Sequence, residues 1–222
     1  MKSNQYGFVF LFLALNVSCI TTSEQKKSVI KSDIEIVTAI DSAVPGTTVY
    51  RGKIAIPLSK GSIREGDLFP AIDFIDSTGI AQSLSGPGEV RLISVVPSIK
   101  TKECEIQSHR LAESRSVHPR VRRITISMDP PADLSRFATS AKISNVLFLS
   151  DLKTGDFGLQ TGLLMTEKNQ LARAVIVVNS QGVVQYLQLV PDITQLPDID
   201  SAIAMANGMV EARKLPVSPI AK

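Results

Sequence analysis

From Thr47 onward, apolar and polar positions run in short blocks separated by turn residues. Thr48-Val49-Tyr50 and Ile54-Ala55-Ile56 flank Arg51-Gly52-Lys53, the pattern of two short strands around a glycine turn, so a β-hairpin is expected. Gly61, Gly66 and Pro70 then punctuate the chain before a second apolar piece, Ala71 to Ile75, which the turn sequence Asp76-Ser77-Thr78-Gly79 closes. Val90 to Val96 (VRLISVV) lies between Gly88 and Pro97 and is apolar enough to be a strand buried on both faces.

The remainder alternates helix and strand. Cys104 to Val117 places Ile106, Leu111, Ala112 and Val117 at helical spacing, and Val121 to Met128 carries the strand core Ile124 and Ile126 until Pro130-Pro131 ends it. Ala132 to Ala141 reads as a helix with Asp133 in its first turn. Val146 to Leu149 reads as a strand, and Ala174 to Val178 is the strongest β run in the chain. Ser180-Gln181-Gly182 turns into Val183 to Val190, and Ile199 to Arg213 is an amphipathic helix before a tail at 214–222 punctuated by Pro216 and Pro219. The order is hairpin, β-α-β-α-β, hairpin, helix, which predicts one α/β domain over 47–213 with a mixed sheet covered by helices.

The amino-terminal pattern is different. Phe8 to Leu15 (FVFLFLAL) is an unbroken apolar run behind a single cation, Lys2, and is far shorter than the roughly 20 residues of a membrane-spanning helix. It predicts a signal peptide over 1–18. Ser18-Cys19 at its end resembles the lipobox of bacterial lipoproteins, with Asn16 where an aliphatic residue is usual. A lipidated Cys19 is expected, and the alternative is an ordinary signal peptide cut between Ser18 and Ser23. Residues 19–46 then form a flexible tether, with Ile20 to Lys31 its most polar part. The chain is thus expected to be exported and held to a membrane by lipid, facing the periplasm or the cell surface.

Composition narrows the chemistry. The 222 residues are 44% hydrophobic and 5% aromatic without Trp, so a mostly aliphatic core can be buried; a charge of +3 argues against a nucleic-acid binder. Two Cys and two His exclude a disulfide scaffold and any metal site built from several such ligands.

Pro97-Ser98-Ile99-Lys100-Thr101-Lys102-Glu103-Cys104 joins the end of a buried strand to the start of a helix. Free N–H groups and the helix dipole favour an ionised sulfur there, and Thr101 sits near the cap with a hydroxyl for the backbone and for a substrate oxygen. Glu103 and Glu105 oppose this if they point toward the sulfur. The balancing cation is Lys102, or Arg173 if the strand Ala174 to Val178 pairs beside the strand before Cys104.

These segments carry a resemblance. SVVPSIKTKEC (Ser94 to Cys104), SMDPPADLSRF (Ser127 to Phe137), LARAVIVV (Leu171 to Val178) and YLQLVPDIT (Tyr186 to Thr194) together resemble the thiol peroxidase branch of the peroxiredoxins, from about Thr47 to Gly208. The most specific piece is Pro-x-x-x-Thr-x-x-Cys, matched by Pro97, Thr101 and Cys104, with the active-site Arg falling on Arg173. The resemblance implies a thioredoxin-like fold and a Cys104 thiolate that attacks the peroxide O–O bond. Pro97 would shield the sulfur, while Thr101 and Arg173 would bond the peroxide. No cofactor or metal is implied. A homodimer and a thiol reductant such as thioredoxin are.

Two departures matter. The branch places a resolving Cys after Arg-Phe on the second helix, where this chain has Ala138 after Arg136-Phe137, so the resemblance implies a one-Cys mechanism with an outside thiol reducing the Cys104 sulfenic acid. Lys102 also replaces the usual Pro. The alternative is a non-catalytic redox-sensing or binding lipoprotein on the same scaffold.

Other residues have plainer readings. His109 is five positions past Cys104, about 140° around a helix and on the wrong face for a Cys-His dyad, and His118 precedes a Pro in a loop. Both are expected at the surface. The basic stretch His109 to Arg123 holds five Arg and one Glu without aromatics, which fits a solvated helix end better than a nucleic-acid site. Gly86-Pro87-Gly88 lacks the context of a phosphate loop and reads as a turn.

Overall fold

The computed structural model describes residues 34–38 and 41–212. The expected signal peptide over 1–18, Cys19, Ile20 to Lys31 and the tail at 214–222 lie outside the described residues.

The expected hairpin is present as β1 (Thr48–Arg51) and β2 (Ile54–Pro57), turned by Gly52, whose φ is +61°. Next come β3 (Asp73–Asp76), β4 (Ala81–Ser83) and β5 (Val90–Val95), followed by α1 (Lys102–Glu113), β6 (Val121–Ser127), α2 (Pro131–Ser140) and β7 (Leu147–Ser150). A short α3 (Asp156–Thr161) and the two-residue strands β8 (Leu164–Met165) and β9 (Gln170–Leu171) precede β10 (Ala174–Val178), β11 (Val184–Leu189) and α4 (Ile199–Ala212). Seven strands form one sheet in the order β11-β10-β5-β6-β7-β3-β4, with β5, β6 and β7 parallel and the remaining pairs antiparallel. This is the mixed sheet expected, and the fold is thioredoxin-like.

Every residue of β5 and β10 is buried, Arg91 and Ser94 of β5 included, as central strands covered on both faces require. Strand alternation splits the core in two. Ile93, Val95, Ile124, Ile126 and Ile176 face a cluster with Val49 and Ile56 of the hairpin and Phe157 of α3. Leu92, Phe148, Val175 and Val177 face the opposite way, onto Leu111 of α1, Leu134 of α2 and Ala202, Ile203 and Ala206 of α4. At about 25 cal/mol per Å² of apolar surface removed from water, two such faces supply most of the drive to fold.

Several boundaries differ from the sequence reading for identifiable reasons. Helix α1 stops at Glu113 instead of reaching Val117, because Arg123 donates to the Ala112 and Ser114 carbonyls at 2.9 and 3.1 Å and satisfies the helix end there. Helix α3 was not expected. It is only six residues long and is bracketed by Gly155 and Gly162, both left-handed. Gly162 is obligatory on two counts: its φ is +72°, and a Cβ there would collide with the Gly61 carbonyl. The described part of the expected tether is docked, not free. Leu196 and the segment Glu35–Val37 exchange backbone hydrogen bonds at 2.8 Å, and Gln188 Nε2 donates to the Val37 and Thr38 carbonyls at 3.1 and 2.7 Å. Ala43 adds a bridge to Leu189. Glu35 to Val37 and Ala43 therefore pack onto β11 and the loop after it, because the unpaired edge of β11 offers backbone partners that composition does not reveal.

Candidate active site

The site lies at the carboxyl ends of the parallel strands, where α/β folds place their chemistry. Strand β5 delivers the chain to Pro97, which is buried and has no N–H to continue the ladder. Ser98 to Thr101 then lead into α1. Two carboxylates from the loop and helix after β6 hold this segment. Asp129 accepts from Ser98 Oγ at 2.8 Å and from the Ile99 N–H at 2.9 Å; Asp133 pairs with Lys100 at 2.7 Å and with Arg136. The hydrogen bond from Lys100 holds the Asp133 carboxyl below its ordinary range, and Asp133 raises Lys100 in return.

Thr101 is the N-cap residue of α1, with φ −105° and ψ 150°, yet its side chain makes no cap bond to the helix backbone. Its Oγ1 instead donates to Cys104 Sγ at 3.1 Å. Of the two uses expected for this hydroxyl, the backbone one is absent and the sulfur has taken its place. Cys104 has 0% of its surface exposed. Lys102 and Glu105 are exposed and Glu103 is half-buried, and none of the three bonds to the sulfur.

The cation is Arg173. Strand β10 pairs antiparallel with β5, with Ala174 opposite Val95, which brings the residue before β10 next to the loop after β5. Arg173 is 1% exposed and uses three nitrogens in three directions: Nε to the Ile193 carbonyl at 2.9 Å, Nη1 to Gln107 Oε1 at 2.6 Å, and Nη2 to Cys104 Sγ at 3.5 Å. Among the described residues no carboxylate pairs with it. A buried guanidinium without a counter-ion is costly, and the anion this arrangement suits is the sulfur itself or an oxygen bound against it.

Gln107 was not foreseen. It is one helical turn after Cys104, fully buried, and its Nε2 donates to Ser94 Oγ at 2.7 Å and toward the Val95 and Ala174 carbonyls at 3.4 and 3.3 Å. It ties α1 to β5 and β10 while presenting one oxygen to Arg173. The available signal was the i, i+3 spacing from Cys104 and a polar residue on the apolar face of α1. Asp129 was also missed, although it stands in the quoted segment SMDPPADLSRF.

The remaining sequence candidates stay apart from the sulfur. His109 pairs with Glu113 at 3.0 Å, and the His118 N–H donates to Asn207 at 2.9 Å. Ala138 is partly buried against the α-helical side of the core, beside Phe137, whose ring meets Phe148 edge-on at 5.7 Å. Cys104 is a free thiol.

A buried cysteine at the start of a helix, with a hydroxyl and a guanidinium both donating to its sulfur in a thioredoxin-like sheet, defines a thiol-redox protein. Residues 64–203 match the family model described as Redoxin, and the chain belongs to that family, in the thiol peroxidase branch of the peroxiredoxins. It is 36% identical over 149 residues to a thiol peroxidase of Staphylococcus epidermidis, an alignment covering 67% of this chain and 90% of that protein. A thiol peroxidase of Staphylococcus aureus is 37% identical over 150 residues, covering 67% and 91%. Among solved structures, a peroxiredoxin-like protein from Aquifex aeolicus superposes with a TM-score of 0.70 at 29% identity, covering 75% of this chain and 99% of that one.

Proposed function

We propose that this protein reduces hydrogen peroxide and alkyl hydroperoxides with Cys104 as the attacking sulfur. The observation that carries the reading is the convergence of Thr101 Oγ1 and Arg173 Nη2 on Cys104 Sγ. Both donors suit a thiolate before reaction and a peroxide oxygen during it. The Cys104 thiolate attacks one peroxide oxygen, an S–O bond forms as the O–O bond breaks, and the departing oxygen takes a proton to leave as water or alcohol. Thr101 and Arg173 stabilise the charge that develops on the oxygens, the kind of fixed donor whose removal costs about 10²–10³ in rate. The sulfur is left as sulfenic acid.

Reduction is completed by outside thiols. With Ala138 where the branch carries its resolving Cys, the first external thiol condenses with the sulfenic acid to a mixed disulfide and water. A second thiol then releases the Cys104 thiol and a reductant disulfide. Since Cys104 is closed to solvent at rest, both peroxide and thiol enter by movement of the segment Pro97 to Lys102. The start of α1 suits that movement, because no side chain caps it.

The test is intact mass and sulfenic-acid trapping after one equivalent of hydrogen peroxide, with Cys104→Ser as control, followed by turnover with a small dithiol and with thioredoxin. One trapped oxygen at Cys104 and thiol-dependent peroxide consumption are expected. A Cys104 that stays reduced overturns the reading.

The same proposal extends to location and assembly. Phe8 to Leu15 followed by Ser18-Cys19 supports export and a lipid on Cys19, with the folded body facing the periplasm or cell surface. Labelled fatty acid that enters the chain but not Cys19→Ser would bear this out. The family resemblance supports a homodimer, which light scattering of the purified protein tests directly.

A further inference from the structure

Arg91 of β5 and Arg122 of β6 are register partners in a parallel pair, side by side on the same face of the sheet at its amino-terminal end. Like charges placed directly opposite on neighbouring strands are destabilising. Here neither is compensated: among the described residues, no carboxylate pairs with either guanidinium. Arg91 is only 5% exposed, with its guanidinium 5.8 Å from the Phe69 ring centroid. Its one hydrogen bond runs from Nη2 to the Gly86 carbonyl at 3.1 Å, and its Nε is buried without any partner. Burial first, and Arg122 second, push Arg91 below the usual arginine range.

Both side chains line a surface cavity of about 460 Å³ whose other walls are Ser83 to Gly88 and Glu89. The lining is mostly hydroxyls and loop backbone. Glu89 is exposed at the rim and pairs with neither arginine. Two adjacent guanidiniums without a carboxylate partner among the described residues, both lining one cavity, present a fork of N–H donors for tetrahedral oxygens.

We propose that this cavity is a binding site for a phosphate dianion, taken as inorganic phosphate or as a small phosphate monoester, held between Arg91 and Arg122. A dianion neutralises both cations at once, whereas a single carboxylate leaves one uncompensated. The site is independent of the thiol chemistry. Arg91 is near the start of β5 and the thiol loop follows its end, a separation of roughly 15 Å along the strand at about 3.3 Å per residue.

The experiment is thermal unfolding of the full chain against sodium phosphate and glycerol phosphate at constant ionic strength, with chloride and acetate as controls, on wild type and Arg122→Gln. A ligand held only by the folded state raises Tm with the logarithm of its concentration once above Kd, by about 5–11 °C at a hundredfold excess. Wild type shows that rise with phosphate and not with acetate, and Arg122→Gln loses it while melting no lower than wild type in chloride. A larger response to glycerol phosphate assigns the site to a monoester; equal responses assign it to free phosphate. Amide resonances of Gly86 and Gly88 shift and saturate at the Kd that the Tm rise gives. A rise of equal size in acetate, or one retained by Arg122→Gln, overturns the proposal.

Discussion

Gln107 Oε1 accepts from Arg173 Nη1 at 2.6 Å, and it is this bond, one turn along the helix from Cys104, that aims the neighbouring Nη2 at the sulfur. Arg173 has a backbone anchor as well, the Ile193 carbonyl. The guanidinium is planar, so fixing two of its nitrogens determines where the third points.

Gln107→Leu is therefore expected to slow oxidation of Cys104 without removing any group that touches the sulfur. Hydrogen bonds to charged groups contribute about 1.5–3 kcal/mol, so the second-order rate constant with hydrogen peroxide should fall about ten- to a hundredfold. Stopped-flow kinetics under single turnover measures it. An unchanged rate would show that the Ile193 carbonyl alone suffices to hold Arg173.

Thr101→Val and Thr101→Ser separate the hydroxyl from the shape of its side chain. Valine keeps the volume and loses the donor at 3.1 Å from Cys104 Sγ, and a loss of about 10² in the same rate constant is expected. Serine retains the donor and should remain within about tenfold of wild type. Because Thr101 makes no side-chain bond to the helix backbone, the valine variant should unfold at nearly the wild-type urea midpoint; a large loss of stability would assign Thr101 to structure instead.

Asp129 holds the loop before the helix through Ser98 Oγ and the Ile99 N–H, and both it and Ser98 are buried. Asp129→Asn keeps the volume but turns one acceptor into a donor facing a donor. A destabilisation of about 1–3 kcal/mol in urea unfolding is expected, accompanied by faster amide exchange at Ile99 and Lys100. Stability and exchange that match wild type would exclude this role.

Two buried carboxylates give stability opposite dependences on pH. Burial lifts Asp151 from 3.8 to about 6, against hydrogen bonds from the Gly158 and Phe157 N–H groups that lower it. The folded state then holds a proton that the unfolded chain has released, so this contribution declines as pH rises from about 4 to 6, by about 2 kcal/mol. For Asp76 burial also acts upward, but bonds from Thr78, Ile80 and Gln82 outweigh it and bring the carboxyl down to about 2. Its contribution is complete above 3.8 and is lost as pH falls toward 2. Asp151→Asn should flatten the profile of unfolding free energy between pH 4 and 6, and Asp76→Asn the acid limb below pH 4. A profile between pH 4 and 6 unaltered by Asp151→Asn would contradict the assignment.

Local pattern determined much of this protein. Ala174 to Val178 is a strand with the expected ends, because an unbroken apolar run, β-branched from Val175 onward, is best satisfied in the middle of a sheet. Pro130-Pro131 ends β6 and opens α2, as missing N–H groups and a fixed φ dictate. The spacing of Pro97, Thr101 and Cys104 was visible for the same reason: all three lie on one short strand-to-helix connection. Tertiary structure alone decided the rest. Which cation reaches Cys104 depended on β10 pairing beside β5, which brings Arg173 to a sulfur 69 positions earlier in the chain. Gln107 and Asp129 acquire meaning only through partners on other elements, and Arg91 and Arg122 become neighbours only once two parallel strands set their register. Periodicity reports which side of its own element a residue occupies, while the partners waiting there are chosen by the packing of the whole sheet.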